Sequence, residues 1–256
     1  MTAFDNRITS VPAVCRGSLQ ARMATGAGDL EAAQRLRHKM FSGGQAADSG
    51  ALDADGFDPK CQHVLVEDTE TGAILACFRF LHLNSGADIG ISYSAQFYDL
   101  ENLHGYREPM LEIGRFCTAE GVGDPDVIRL GWAMLTRYVD AHSIGMMFGC
   151  SSFPGNDTRP YRAALALLHR RHLAPVEMAP KPKAPETRPL ASVGKSGQCD
   201  GRKPLPSLLR TYLGMGGWVS DHAVIDRALG TFHVFTGVEI AKIPQRRAEL
   251  LRADAR

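Results

Sequence analysis

Three observations predict an α/β fold in which helices flank a sheet. Apolar strand-like runs alternate with amphipathic helical stretches along most of the chain, 44% of the 256 residues are apolar, and no internal repeat is present. A chain of this length buries one substantial core, as a single large α/β domain or as a domain with a long appendage.

The first element is a short strand at 18–24. Asp29 then caps a helix whose apolar positions include Leu30, Ala33, Leu36 and Met40 and which ends at Gly43 and Gly44. A loop rich in Gly, Ala and Asp runs to about Lys60, followed by a hairpin of strand 63–67, turn 68–72 and strand 73–83. The 84–109 stretch is polar and mixed, with a short helix expected at 97–103. A strand follows at 110–119, a tight turn at 120–125, and a helix at 126–142 whose apolar stripe carries Val127, Leu130, Met134 and Tyr138. Next come a buried strand at 145–152 and a helix at 159–172. Residues 174–206, rich in Pro and Lys, read as an irregular loop or insertion, and strands at 219–225 and 232–240 finish the sheet.

The net charge of +1 excludes neither a charged partner nor a neutral one. No apolar run approaches the roughly 18 residues that span a bilayer, and MTAFDNRITS lacks the apolar core of a signal peptide, so the protein is expected in the cytoplasm. Cys15, Cys61, Cys77, Cys117, Cys150 and Cys199 show no C-x-x-C spacing and read as reduced packing residues. Several motifs fail on inspection. Gly194-Lys195-Ser196 has Pro189 where a phosphate-binding loop needs its first glycine, Gly121-x-Gly123 suits a tight strand-to-helix turn, and Ser152-Phe153-Pro154-Gly155 lacks the glycines of a nucleophile elbow. The histidines form no helical i, i+4 pair around a glutamate, so no metal site is expected.

What remains is a set of charges in apolar surroundings. Glu112 and Arg115 stand three apart among Leu111, Ile113 and Phe116, a spacing that puts them on opposite faces of an ideal strand unless a bulge near Gly114 brings them together. They form either a structural ion pair or part of a site. Arg37 lies on the first helix, Asp55 and Asp58 flank Gly56-Phe57, and Arg79 interrupts the apolar strand Cys77-Phe78-Arg79-Phe80-Leu81. Together these side chains describe a pocket for a small zwitterion.

The strings RLRHKMF at 35–41, the GFD turn at 56–58, CFRFL at 77–81 and above all LEIGRFCT at 111–118 followed by DVIRLGWAML at 126–135 resemble the Gcn5-related N-acyltransferase fold. More narrowly they resemble the ornithine N-acyltransferases of ornithine-lipid synthesis and, more distantly, the acyl-homoserine-lactone synthases. LPSLLRTYL at 205–213, with Gly216, Gly217 and Asp226, favours the ornithine-specific group. The resemblance covers about 18–243, leaving 1–17 as an N-terminal extension and 244–256 as a charged tail, and it implies a mixed, splayed central sheet flanked by helices.

The implied reaction moves a 3-hydroxyacyl group from acyl carrier protein to the α-amine of L-ornithine, giving lyso-ornithine lipid. Arg79 or Arg115 would take the ornithine carboxylate and Asp55 or Asp58 its distal ammonium, with Arg37 in the same pocket. Glu112, a partly buried carboxylate of the kind whose pKa rises, is the expected base, acting directly or through a water. No cofactor is expected beyond the phosphopantetheine that the carrier protein brings. Where acetyl-CoA enzymes of this fold have a pyrophosphate loop, this chain has Glu120-Gly121-Val122-Gly123-Asp124-Pro125-Asp126, too acidic to cradle a diphosphate. Arg129, Arg137, Arg159 and Arg162, with Arg170, are the expected dock for an acidic carrier protein. The Lys/Pro-rich 179–188 stretch is either a solvated connector or a peripheral contact with anionic lipid at the inner membrane face. The alternatives are a lactone synthase using S-adenosylmethionine, disfavoured by Ser42-Gly43-Gly44-Gln45 after Phe41, and a non-catalytic carrier-protein-binding module.

Overall fold

The computed structural model describes residues 11–41, 50–193 and 203–256. In chain order the strands are β1 (Val14–Arg16), β2 (Leu19–Met23), β3 (Gln62–Asp68), β4 (Ile74–Leu83), β5 (Tyr98–Asp99) and β6 (Met110–Thr118). The later ones are β7 (Met146–Pro154), β8 (Lys181–Pro182), β9 (Thr187–Pro189), β10 (Trp218–Val219), β11 (His222–Asp226) and β12 (Thr231–Glu239). The helices are α1 (Ala27–Phe41), α2 (Pro125–Ala141), α3 (Arg162–Arg171), α4 (Leu190–Val193), α5 (Ser207–Gly214) and α6 (Gln245–Asp254). The chain forms two compact units: Met1–His82, Ile113–Ser143 and Gln245–Arg256 make the first, Leu83–Glu112 and Ile144–Pro244 the second.

In the first unit the strand order is β1-β2-β3-β4-β6. Gly17, at φ +60°, makes the tight turn between β1 and β2. Side chains alternate along β4. Cys77 packs towards α1 in a cluster with Ala33, Leu65 and Cys117, whereas Phe80 lies 4.4 Å from Tyr138 of α2. Gly131 lets α2 come close to that second face, where the nearest side chains to its Cβ position are Phe78, Phe116 and Val66. Asp124 caps α2 by accepting from the Asp126 N–H at 2.8 Å, and Pro125 occupies the first turn.

In the second unit β6 pairs parallel with β7 only over Met110–Glu112, whereas β7 pairs antiparallel with β12 from Met146 to Pro154. β11 and then β9 extend the sheet beyond β12. One face buries Phe153, Phe232 and Val234 against Leu165 and Leu168 of α3, Leu190 of α4 and Leu209 of α5. On the other, Phe235 stacks with Phe148 and meets Tyr98 of the 84–109 segment, with ring centroids 5.7 and 5.6 Å apart.

The observed elements correct the expected ones in several places. The N-terminal extension already contains β1, and the tail contains α6, whose Arg252 grips Asp140 of α2 with two bonds of 2.9 Å. Instead of a helix at 97–103 there are short 3-10 turns around β5, because Ser85, Ser92 and Asp99 accept bonds from backbone N–H groups that a helix would need. The irregular 174–206 stretch contains β8, β9 and α4, with Pro189 tolerated because β9 is an edge strand. Helix α5 was not expected, the 219–225 strand divides into β10 and β11, and α3 starts at Arg162 after a 3-10 turn at Arg159–Tyr161. The expected helix end at Gly43 and Gly44 lies outside the described residues.

Gly86 anchors the 84–109 segment: a Cβ there would lie 1.9 Å from the Leu103 carbonyl oxygen. Gly86→Ala is expected to lower stability by about 1–3 kcal/mol in urea denaturation, through backbone displacement.

Candidate active site

Of the charges expected to share a pocket, Arg37, Asp55, Asp58, Arg79 and Arg115 lie in the first unit and close on one another, whereas Glu112 lies in the second. From α1, Arg37 reaches Asp58 with two bonds, Nη1 to Oδ1 at 2.8 Å and Nη2 to Oδ2 at 2.9 Å, and Asp53 through Nε at 2.8 Å. From β4, Arg79 forks onto Asp55 at 2.6 and 2.7 Å and also donates to Asp58 at 2.5 Å. From β6, Arg115 pairs with Asp53 at 3.0 Å and Asp55 at 3.1 Å. Gln34 adds a bond to Asp58 at 2.9 Å. Three guanidinium groups thus face three carboxylates.

The cluster has an inner and an outer layer. The side chains of Arg37, Asp58 and Arg79 are 1%, 2% and 4% exposed, whereas those of Asp53, Asp55 and Arg115 are 17%, 24% and 12% exposed. The inner three therefore hold the site in shape, and the outer three can meet a ligand. Burial alone would raise the Asp58 pKa, but the bonds from Arg37, Gln34 and Arg79 outweigh it and hold the carboxyl well below the usual range. Asp55 is lowered in the same way, its burial overcome chiefly by Arg79. Arg115 sits at φ +56°, a conformation that costs a non-glycine residue about 1–3 kcal/mol. The strand departs from regular geometry at Arg115, next to Gly114, the neighbourhood in which the sequence leaves room for a bulge.

Glu112 belongs to the second unit. Its Oε2 accepts from the Tyr93 N–H and its Oε1 from the Ser94 N–H, each at 2.7 Å, while Ser94 Oγ donates to Oε1 at 2.6 Å and lies 3.5 Å from Cys150 Sγ. The carboxylate is 5% exposed and fixed from two sides. Sequence reasoning missed Asp53, Gln34 and Ser94. The closely spaced acids of Asp53-Ala54-Asp55-Gly56-Phe57-Asp58 were a usable signal for the first, whereas an isolated Gln or Ser carries none.

The expected carrier-protein dock is corrected in part. Arg137 is not an outward charge: it donates to the carbonyls of Ala255, Arg256, Pro12 and Ala13, tying those two segments to α2. Arg129 pairs with Asp126 and Asp254. In the second unit Arg159 pairs with Asp157 and stays 80% exposed, while Arg162 opens α3, a helix without an acid that ends in His169, Arg170 and Arg171. The acids of the loop before α2 also have local duties, Asp124 as cap and Glu120 facing Lys39 at 3.9 Å. Among the described residues no helix is long and apolar enough to cross a membrane.

An acetyltransferase (GNAT) domain model matches residues 36–133, a span that includes every arginine and aspartate of the cluster. An L-ornithine N(alpha)-acyltransferase of Rhodobacter capsulatus is 29% identical over 243 residues, covering 91% of this chain and 94% of the relative. One of Brucella abortus is 31% identical over 258 residues, covering 93% and 90%. Among solved structures, FeeM, an N-acyl amino acid synthase from uncultured soil microbes, matches with a TM-score of 0.50 at 10% identity over 87% of this chain and 92% of that one, a likeness of fold.

Asp58 has a depressed pKa in the folded state, so its contribution to stability is complete above the ordinary aspartate value of 3.8 and is lost as pH falls through the lower folded value. Asp58→Asn should destabilise the protein by about 3–5 kcal/mol at pH 7, by leaving two buried guanidinium groups short of a partner. The gap from wild type should narrow at pH values well below 3.8, as read by urea unfolding across pH.

Proposed function

The chain belongs to the L-ornithine N(alpha)-acyltransferase family, and on that premise we propose that it transfers a 3-hydroxyacyl group from acyl carrier protein to the α-amine of L-ornithine, forming lyso-ornithine lipid. The observation that carries this reading is the outer layer of the charge cluster. Ornithine bears a carboxylate and a distal ammonium, and Arg115 and Asp55 offer the matching guanidinium and carboxylate, with Asp53 beside them. In the absence of substrate these groups neutralise one another. Substrate binding exchanges one set of ion pairs for another, so no group is left uncompensated.

Attack on the thioester needs the α-amine without its proton. Glu112, three residues before Arg115 on the same strand, is the proposed base, acting directly or through a water. Its three donors from Tyr93 and Ser94 hold the carboxylate in a fixed orientation and limit how it can turn. Attack is direct, with no covalent enzyme intermediate, and the tetrahedral oxyanion is stabilised by backbone N–H groups.

The proposed donor is acyl carrier protein, because Glu120, Asp124 and Asp126 make the segment leading into α2 a poor cradle for a diphosphate. The proposed dock is the α3 surface, with Arg159, Arg162, Arg170 and Arg171 facing an acidic partner. The proposed setting is the cytoplasm, with peripheral contact at the inner membrane face where the amphipathic product is delivered.

Incubation with 3-hydroxyacyl carrier protein and, separately, ornithine, lysine, glycine or S-adenosylmethionine should release free thiol with ornithine alone; release with S-adenosylmethionine, or with none of the four, would falsify the assignment. Asp55→Asn is expected to raise the KM for ornithine at least about tenfold, and Glu112→Gln to lower kcat by about 10²–10⁴-fold, both measured by steady-state thiol release.

A further inference from the structure

The second unit buries polar atoms for which acyl transfer, as described above, has no use. His233 of β12 is 2% exposed and Tyr98 of β5 is 1% exposed. The Tyr98 hydroxyl donates to the His233 backbone carbonyl at 3.1 Å, and its oxygen lies 3.0 Å from His233 Nδ1. A phenol has one proton, and the carbonyl takes it. With the phenol proton on the carbonyl, we assign the hydrogen of the second contact to Nδ1, with Tyr98 Oη as acceptor. Burial pushes the imidazole pKa down to about 4, so the ring is neutral at physiological pH. Nε2 is accordingly a bare acceptor, and it has no hydrogen-bond partner among the described residues. Leaving such an atom buried and unsatisfied is unfavourable unless a ligand completes it.

Its surroundings are aromatic. The His233 ring stands edge-on to Phe97 at 5.0 Å, and Tyr98 also packs on Phe235, which stacks with Phe148 and Trp218 on the same face of the sheet. His222 on the neighbouring strand packs on the same Tyr98 ring at 5.3 Å, with its Nδ1 2.7 Å from Asp221 Oδ1. An apolar face with one isolated acceptor complements a hydrocarbon chain that carries a hydroxyl and little else.

We propose that His233 Nε2 accepts a hydrogen bond from the hydroxyl of the donor's acyl chain, making His233, oriented by Tyr98, the residue that selects hydroxyacyl donors. This inference rests on the acyltransferase reading above. An unsubstituted chain would cover the acceptor without supplying a donor. A 3-oxo chain would set a carbonyl lone pair against the Nε2 lone pair, so the order of preference is hydroxyacyl, then unsubstituted, then oxoacyl.

The test compares kcat/KM for 3-hydroxyacyl, unsubstituted and 3-oxoacyl carrier proteins of equal chain length, at saturating ornithine, in the full-length wild type, His233→Leu and Tyr98→Phe. Wild type should favour the hydroxyacyl donor over the unsubstituted one by at least about tenfold, and His233→Leu should bring that ratio close to one. Tyr98→Phe should raise the oxoacyl rate relative to the hydroxyacyl rate, because nothing then fixes the hydrogen on Nδ1, and this variant decides the matter if His233→Leu fails to fold. A wild-type ratio kept in both variants, or an equal loss with all donors, overturns the inference alone. No transfer by wild type to ornithine from any donor overturns the acyltransferase reading and this inference with it.

Discussion

The structure of the first unit depends on a buried carboxylate, Asp58, placed between two buried guanidinium groups. Taking these charges out of water carries a penalty of several kcal/mol per ion, which is recovered only if every lone pair and N–H finds a partner with good geometry. That requirement acts on distant parts of the chain at once. It fixes the turn of α1 that carries Arg37, the register of β4 that carries Arg79, and the 53–58 segment that carries the acids. Because the cluster contains as many aspartates as arginines, it adds no net charge, and Asp53, Asp55 and Arg115 are aimed before any substrate arrives. Such preorganisation spares a binding reaction the entropy of ordering long side chains.

Strand β6 carries the second constraint. Arg115 takes a left-handed backbone conformation that only its surroundings can enforce, and its two ion pairs are the evident source. A glycine at 115 would relieve the strain and lose the guanidinium; a regular strand would keep the guanidinium and point it elsewhere. Local strain at this point is thus linked to the two ion pairs that hold the Arg115 guanidinium.

Much of this was legible in the sequence because charges in apolar strands are conspicuous. Arg79 between Phe78 and Phe80, and Glu112 and Arg115 in LEIGRFCT, declared themselves by violating the hydrophobic pattern. The division of the arginines was not legible. Arg37 and Arg79 read like Arg115, yet burial separates supports from a contact surface, and burial depends on which loop folds over which helix. Arg137 illustrates the opposite failure: periodicity placed it on an outer helix face, and only the approach of Ala13 and Ala255 converts that face into a binding site for backbone carbonyls. The 3-10 chain around β5 and the short β8 and β9 were missed because side-chain bonds to backbone, not periodicity, determine them.

The two units differ in the chemistry of their buried polar groups. The first concentrates ionised groups that cancel in pairs. The second buries Tyr98 and His233 in a shared hydrogen bond against an aromatic face, and holds the buried carboxylate of Glu112 by donors from Tyr93 and Ser94. The chain changes unit within β6, between Glu112 and Ile113. Under the proposed function that carboxylate is the base, and it is the last residue of β6 that belongs to the second unit, so the three donors that orient it come from its own unit.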